Sequence, residues 1–306
     1  MQEQKTIQDA KNFWNVEACG TQFIQERKSE KDFFLKYIDF RYKTEWHIPQ
    51  LVPFEQSKGK KVLEIGCGNG ADGYMFAKNG AIYTGVDLTE TAVQTTQKHF
   101  ELLGANGTFQ VENAEKLSFA DNSFDIVYSH GVLHHTQNPP DTFKEVHRVL
   151  KPGGTAIIML YHKNSFNHYI RILGYMRLRL LIKILQRIGR WDVDRKKIAG
   201  KELSKFRGNE GSYIWELHYE NFLTYGWAYL KPENFVHHCT DGPECPYAYV
   251  YSKTDIKSLF SQFKELSFTV AHFPLKKYSF GKFIPLALEK SLAPTMGWYL
   301  FIYAKK

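Results

Sequence analysis

Three glycines at alternate positions, Gly66, Gly68 and Gly70, follow the strand-like run Lys61-Val-Leu-Glu-Ile65. Glycine has no Cβ, so such a turn lets the backbone approach a nucleotide-like ligand closely. The acid just before the glycines, Glu64, narrows the choice of ligand. A dinucleotide site offers helix N–H groups to a pyrophosphate, and a carboxylate at its mouth repels the phosphates. The pattern therefore asks for a cationic cofactor without phosphate, a charge that S-adenosylmethionine has. Asp87, about 20 residues further on, has the spacing of an acid that accepts from ribose hydroxyls. Groups able to move a proton stand later in the chain: His130, His134 and His135, then Tyr161-His162, then the cluster His237-His238-Cys239 with Asp241.

The elements that must position these residues alternate. Strand patterns at Lys61–Ile65, Ile82–Val86, Gly107–Val111, Phe124–Ser129 and Thr155–Tyr161 are separated by helical patterns at Ala71–Lys78, Glu90–Leu103 and Pro140–Leu150. That order implies an α/β fold with a parallel sheet covered on both faces. Pro152, Gly153 and Gly154 mark the turn into the fifth strand. After Tyr161 the alternation stops. It resumes with a helix capped by Ser252 or Thr254, followed by strands at Lys264–His272 and Gly297–Lys305. Phe33, Phe34, Tyr37, Ile38, Phe40 and Tyr42 recur at helical spacing near the amino end. The expected division is an N-terminal helical lid over 1–58, a cofactor-binding domain built from 59–163 and 254–306, and an inserted cap over 164–253 that contacts substrate.

In this order and on these elements, Glu64, the glycines, Asp87, Ser129-His130 and Leu150–Gly154 resemble the class I S-adenosylmethionine-dependent methyltransferases. The resemblance is to the small-molecule branch that includes ubiquinone and menaquinone methyltransferases. It covers residues 60–163 strongly and 254–306 weakly. It implies a Rossmann-like seven-stranded sheet whose last strand, here Gly297–Lys305, is antiparallel. It further implies that Glu64, Gly66, Gly68 and Gly70 hold the methionine part of the cofactor and that Asp87 takes both ribose hydroxyls. Leu88 then lies against adenine. Asn113, Ala114 and Glu115 stand beside the adenine amino group, with asparagine where the family more often has an acid. Ser129 and His130 face the cofactor's ammonium. Arg41 is a further candidate, for the cofactor's carboxylate.

Methyl transfer from a sulfonium is an in-line displacement, so the protein mainly aligns the reactants and excludes water. A base is needed only where the acceptor loses a proton. The candidates are His162, His237, His238, Asp241 and His130; each has a structural alternative as a satisfied or surface side chain, and His134-His135 can equally serve to shape the following helix. The histidines and cysteines match no strong zinc spacing, so no metal is expected.

The 306 residues have 43% hydrophobic and 15% aromatic content, enough for a sizeable core. Four cysteines are too few and scattered for a disulfide framework, no apolar run approaches a membrane span, and the amino end has no signal-like segment. A cytoplasmic protein is expected. The net charge of +8 divides as −2 over residues 1–165 and +10 over 166–306. Within the basic half, Phe166–Arg190 is helical in length and has no acid. Arg179, Lys183, Arg187 and Arg190 fall on one face and a broad apolar set on the other. Three readings follow: a cap helix whose basic face is in water, a peripheral membrane contact through 166–190, or a nucleic-acid surface, the last being least favoured. The aromatic run Trp215 to Tyr229 suits either a pocket wall or the core of the cap. The function expected is methylation of a small, apolar or aromatic molecule, with an RNA methyltransferase or binder, or a cofactor-holding protein without transferase activity, as alternatives.

Overall fold

A computed structural model describes residues 5–15, 29–187, 212–273, 275 and 283–306. The chain enters through α1 (Ile7–Asn15), α2 (Glu30–Thr44) and a short α3 (Ile48–Leu51). The sheet domain then runs β1 (Lys61–Ile65), α4 (Ala71–Lys78), β2 (Ile82–Asp87), α5 (Glu90–Leu103), β3 (Thr108–Val111), β4 (Phe124–His130), α6 (Pro139–Val149) and β5 (Leu150–His162). A helical stretch follows, wound in the wider i→i+5 register over Asn167–Met176 and continuing as α7 (Arg177–Gln186). The insertion goes on with α8 (Ser212–Tyr225) and α9 (Pro232–Phe235). The sheet domain closes with β6 (Val250–Tyr251), α10 (Lys253–Leu259), β7 (Glu265–Ala271), α11 (Leu286–Met296) and β8 (Tyr299–Lys305).

The strand order is β3-β2-β1-β4-β5-β8-β7, with β8 antiparallel to both neighbours. Seven long strands with only the last reversed is the Rossmann-like arrangement expected. An eighth element, the two-residue β6, pairs parallel to the end of β5 through Tyr161 and His162. The fifth strand also starts earlier than expected. Phe124 pairs with Leu150 and Ile126 with Thr155, so Pro152-Gly153-Gly154 bulges out of the ladder, with Gly153 at φ 79°.

Side-chain alternation divides the core. Leu63, Ile65, Val127, Ile158, Leu160 and Ile302 face Phe143, Val146, Val149 and Phe260 on one side of the sheet. Val62, Ile126, Tyr128, Ile157, Met159 and Phe301 face Phe54, Phe76 and Phe100 on the other. Parallel pairing brings the carboxyl ends of β1, β2, β4 and β5 to one edge, where β8 begins at Tyr299 and β7 ends. Loops leaving that edge carry the site. The segment between β5 and β6 has its own core, in which Ile172, Met176, Leu180 and Ile184 pack on Trp215, Tyr219, Phe222 and Tyr229. The aromatic run is therefore mainly core of the cap, although Trp227 is 67% exposed. Ser252 forms the expected helix cap, reciprocated by Asp255.

Candidate active site

β1 ends in the glycine turn, and all three glycines have positive φ: 82° at Gly66, 56° at Gly68 and 81° at Gly70. A Cβ on Gly66 would stand 2.2 Å from a methyl of Val132, whereas one on Gly68 would meet nothing within 4 Å. The loop is thus clamped at its first glycine and open at its second. Asp87, at the end of β2, accepts from the Gly68 N–H (3.2 Å) and from the Thr89 N–H and hydroxyl (3.0 and 2.9 Å). Burial pushes its carboxyl pKa up, partly offset by these bonds. These bonds take most of its acceptor positions and leave Oδ2, which carries only the Gly68 bond, open to a further donor. Asn113 accepts from the Glu115 N–H (3.0 Å), and Glu115 accepts from the Asn138 N–H (2.8 Å). Leu88, Asn113, Ala114, Glu115 and His130 are half-buried along the same edge. The Ser129 hydroxyl donates to the Ile65 carbonyl (2.8 Å), tying β4 to β1 beneath the loop.

Glu64 is turned elsewhere. It is buried and accepts from the Tyr83 hydroxyl at 2.5 Å, with Gly73 packed against it. Burial, followed by the nearby charge of Asp72, drives its carboxyl pKa well above the ordinary range and keeps it protonated. The ionised acid is Asp72, at the first turn of α4. It accepts from Arg41 through both oxygens (2.9 and 2.5 Å), from Tyr42 (3.0 Å) and from Tyr128 (2.8 Å). Burial alone would raise Asp72, but Arg41 outweighs it and holds the carboxyl below its usual value. Arg41 also donates to Glu45 at 2.9 Å, so its guanidinium is committed to two protein acids rather than set aside for a cofactor carboxylate. No sequence pattern marks the Arg41–Asp72 pair, whose members are 31 residues apart on different helices.

A second cluster gathers around the end of β5. The Tyr161 hydroxyl donates to both Asp241 oxygens (3.3 and 3.2 Å), and His135 Nε2 lies 3.4 Å from Asp241 Oδ2. His135 Nδ1 faces the Tyr247 carbonyl at 2.6 Å; a carbonyl only accepts, so Nδ1 carries a hydrogen and Nε2 is the nitrogen left to face Asp241. The Tyr161 ring is 3.9 Å from that of buried His134 and 4.5 Å from Trp298, and Trp14 of α1 lies 5.0 Å from His135.

The other expected proton carriers are held differently. Successive strand residues point to opposite faces, so the strand that sends Tyr161 to Asp241 sends His162 away, and its Nδ1 meets the Gly297 carbonyl at 3.2 Å. His237 Nδ1 accepts from the Ala248 N–H (2.9 Å), and His238 Nδ1 donates to the Pro243 carbonyl (2.7 Å). Burial lowers both to about 4, so both are neutral. Cys239 is buried, and burial pushes its thiol up. His130 Nδ1 is 3.4 Å from Arg41, while its Nε2 is buried without a hydrogen-bond partner.

Among the described residues, two groups bring metal-ligand atoms within 4.8 Å of one another: Glu45, His47 and His130, and His135, Asp241 and Cys245. Arg41 pairs with Glu45 in the first. In the second, Cys245 lies 3.9 Å from His135 Nδ1, the nitrogen already given to Tyr247. The guanidinium opposes a cation in the first group.

Residues 63–158 match the family described as "Methyltransferase domain". Those residues form a class I S-adenosylmethionine-dependent methyltransferase domain. The chain is 33% identical over 117 residues to a "Ubiquinone biosynthesis O-methyltransferase" of Coxiella burnetii, a match that takes 38% of this chain and 50% of the relative. A "Phosphoethanolamine N-methyltransferase 3" of Arabidopsis thaliana is 32% identical over 124 residues, covering 38% of this chain and 25% of that one. The chain thus spans half the length or less of these curated relatives. A solved S-adenosylmethionine-dependent methyltransferase of Methanosarcina mazei shares the fold at a TM-score of 0.50 and 17% identity, over 85% of this chain and 96% of that one.

The domain's cofactor is S-adenosylmethionine, and the residues present fit it. The open side of Gly68 admits a ligand against backbone, Asp87 Oδ2 can accept from a further donor, and no phosphate-binding cation is needed. Methyltransferase domains draw their methyl group from this sulfonium.

Proposed function

We propose that the protein transfers the methyl group of S-adenosylmethionine to a small molecule at the carboxyl edge of the sheet, and that Asp241 receives the proton the acceptor loses. The observation that carries this reading is the turn Gly131–His135. Its Val132 packs on Gly66 of the glycine loop and its His135 meets Asp241, so one short turn touches both halves of the site. Gly66, Gly68 and Gly70 hold the methionine part, Asp87 the ribose, and Leu88 with Asn113–Glu115 the adenine. His130 bounds the space between. Bound there, the cofactor supplies an electrophilic methyl group on a positively charged sulfur.

This chain's own residues align the acceptor and take its proton. Tyr161 holds the Asp241 carboxylate by a hydrogen bond and His135 Nε2 stands 3.4 Å behind it, so the carboxylate is fixed in place to take the proton. Tyr161, backed by buried Trp298, and Trp14 are half-buried and offer flat apolar surface, which suits an aromatic or apolar acceptor bearing a hydroxyl or amine. The names of the relatives, an O-methyltransferase and an N-methyltransferase, agree with a protonated oxygen or nitrogen acceptor. The division into lid (1–58), cofactor domain (59–163 and 254–306) and cap (164–253) gives the cap Asp241 and hence the choice of acceptor. A cytoplasmic setting suits the buried thiols Cys67, Cys239 and Cys245. Lys183 and Arg187 of the basic stretch are paired with Glu216, which counts against a nucleic-acid substrate.

The test is a small-molecule extract incubated with methyl-labelled cofactor, the labelled product then serving as the assay for Asp241→Asn. Turnover should fall about 10²–10⁴-fold, the usual worth of a positioned base, with cofactor affinity unchanged. A variant that turns over at the full rate refutes the role given to Asp241.

A further inference from the structure

The helical stretch Asn167–Gln186 is apolar on two sides. Its inner side, Ile172, Met176, Leu180 and Ile184, is buried in the core of the insertion. Its outer side presents Ile170, Tyr175, Leu178, Ile182 and Leu185, each between 45% and 66% exposed. At 3.6 residues per turn, Tyr175, Leu178, Ile182 and Leu185 fall within an arc of about 80°. Scattered surface leucines need no explanation, but a continuous stripe marks an interaction surface. The basic residues do not form the solvated face expected from the sequence. Lys183 and Arg187 turn to buried Glu216 (2.7 and 3.3 Å), and Arg179 lies over Trp215 at 4.5 Å, while Arg190 lies outside the described residues. What faces outward is apolar; of the arginines on the stretch Arg179 is exposed, and Arg171 and Arg177 are half-buried.

We propose that this face docks on the surface of an anionic phospholipid bilayer, its apolar side chains among the headgroups and its arginines on lipid phosphates. Three observations select this occupant. Residues 166–187 hold no Asp or Glu, and with Lys183 and Arg187 given to Glu216 three arginines, Arg171, Arg177 and Arg179, remain to complement an anionic surface. Tyr169 and Tyr175 are exposed on the stretch, and tyrosine suits the boundary where one end of a side chain is apolar and the other wet. A second copy of the chain is disfavoured, because a two-fold contact through this face would set arginines against arginines. Among the described residues no helix is long and apolar enough to cross a membrane, so the contact lies in the plane of the surface. The stretch is bound to the turn before Asp241, since Arg171 donates to the Cys239 carbonyl at 3.3 Å. Docking would therefore hold the proposed acceptor site next to lipid, whichever atom is methylated.

The experiment is flotation of the full chain with vesicles of phosphatidylcholine and phosphatidylglycerol, compared with phosphatidylcholine alone. The protein should float with the mixed vesicles, and less so as salt is raised. Leu178→Glu combined with Leu185→Glu should lower the partition coefficient at least about tenfold, because buried leucine is replaced by a charge repelled by the lipid. Both positions are exposed, so the variant's melting temperature and S-adenosylmethionine affinity should not change. Absence of flotation, or equal flotation of the variant, overturns the proposal. So does light scattering that shows a dimer which these two substitutions dissolve into monomers.

Discussion

Glu64 and Asp72 share one buried environment but carry opposite roles, and exchanging each carboxyl for its amide separates them. Asp72→Asn leaves the Arg41 guanidinium, bound at 2.9 and 2.5 Å, facing an amide that can accept at one atom and must oppose it with N–H at the other. Stranding a buried charge costs about 3–5 kcal/mol, and the remaining Arg41–Glu45 pair puts this case at the lower end. For a domain of this size that is a fall in melting temperature on the order of 10 °C. Glu64→Gln replaces a neutral acid with a neutral amide of the same shape that still accepts from Tyr83, so the loss should stay under about 1 kcal/mol. The pH dependence adds a sign. The folded-state pKa of Glu64 is raised, so the stability linked to its proton is complete below the unfolded value of 4.5 and drains away as pH rises toward the folded value. Removing that titration should flatten the decline, leaving Glu64→Gln level with or above the parent at neutral pH. Thermal unfolding across pH and calorimetry with S-adenosylmethionine measure both effects. If Glu64→Gln melts like the parent but binds the cofactor ten times more weakly, Glu64 is ionised and faces the ligand, and the assignment of charge here is wrong.

Two further substitutions probe the cofactor cleft. Asp87→Ala removes the acceptor proposed for the ribose hydroxyls and should weaken S-adenosylmethionine binding on the order of a hundredfold by calorimetry, since bonds to a charged group are worth about 1.5–3 kcal/mol each; unchanged affinity would remove Asp87 from the site. Gly66→Ala imposes a left-handed side chain, about 1–2 kcal/mol, and drives its Cβ to 2.2 Å from Val132. Turnover should fall with it, because Val132 belongs to the turn that places His135, whereas Gly104→Ala, with φ 68° and nothing within 4 Å, should cost only the conformational part in a melting curve and leave turnover intact.

The sheet domain was legible in the sequence because local rules and tertiary packing agree there. The strand run Ala156–Leu160 is apolar continuously, as a strand covered on both faces must be, and Val62–Ile65 is apolar but for Glu64 and is ended by Gly66. The insertion was less legible for the opposite reason. Its helix carries basic residues at helical spacing, which reads as a solvated stripe, yet a single acid more than 25 residues away, Glu216, draws Lys183 and Arg187 inward and leaves leucines outside. Periodicity reports that a face is distinct; it does not report what that face meets.

The site shows the same limit at finer grain. Glycines and Asp87 are recognisable because the demand on them is local: a positive φ, an open Cβ position, a carboxylate at a strand end. The residues proposed for proton transfer answer to a long-range demand, the meeting of the β4 turn, the end of β5 and a loop some eighty residues later. Histidine was favoured on its chemistry, and His162 stood at the right strand end. Strand alternation decides between neighbours, however. Counting in twos along β5 from the core residues Ile157 and Met159 puts Tyr161 with them and His162 with Ile158 and Leu160, on the opposite side of the sheet. That count needed only the sequence. What it could not supply was the partner: Tyr161 becomes a candidate for chemistry only because Asp241 returns to within 3.3 Å of it, and closure of a loop that long depends on the whole cap folding. A side chain's address within a strand is local knowledge, while its partner is a property of the fold.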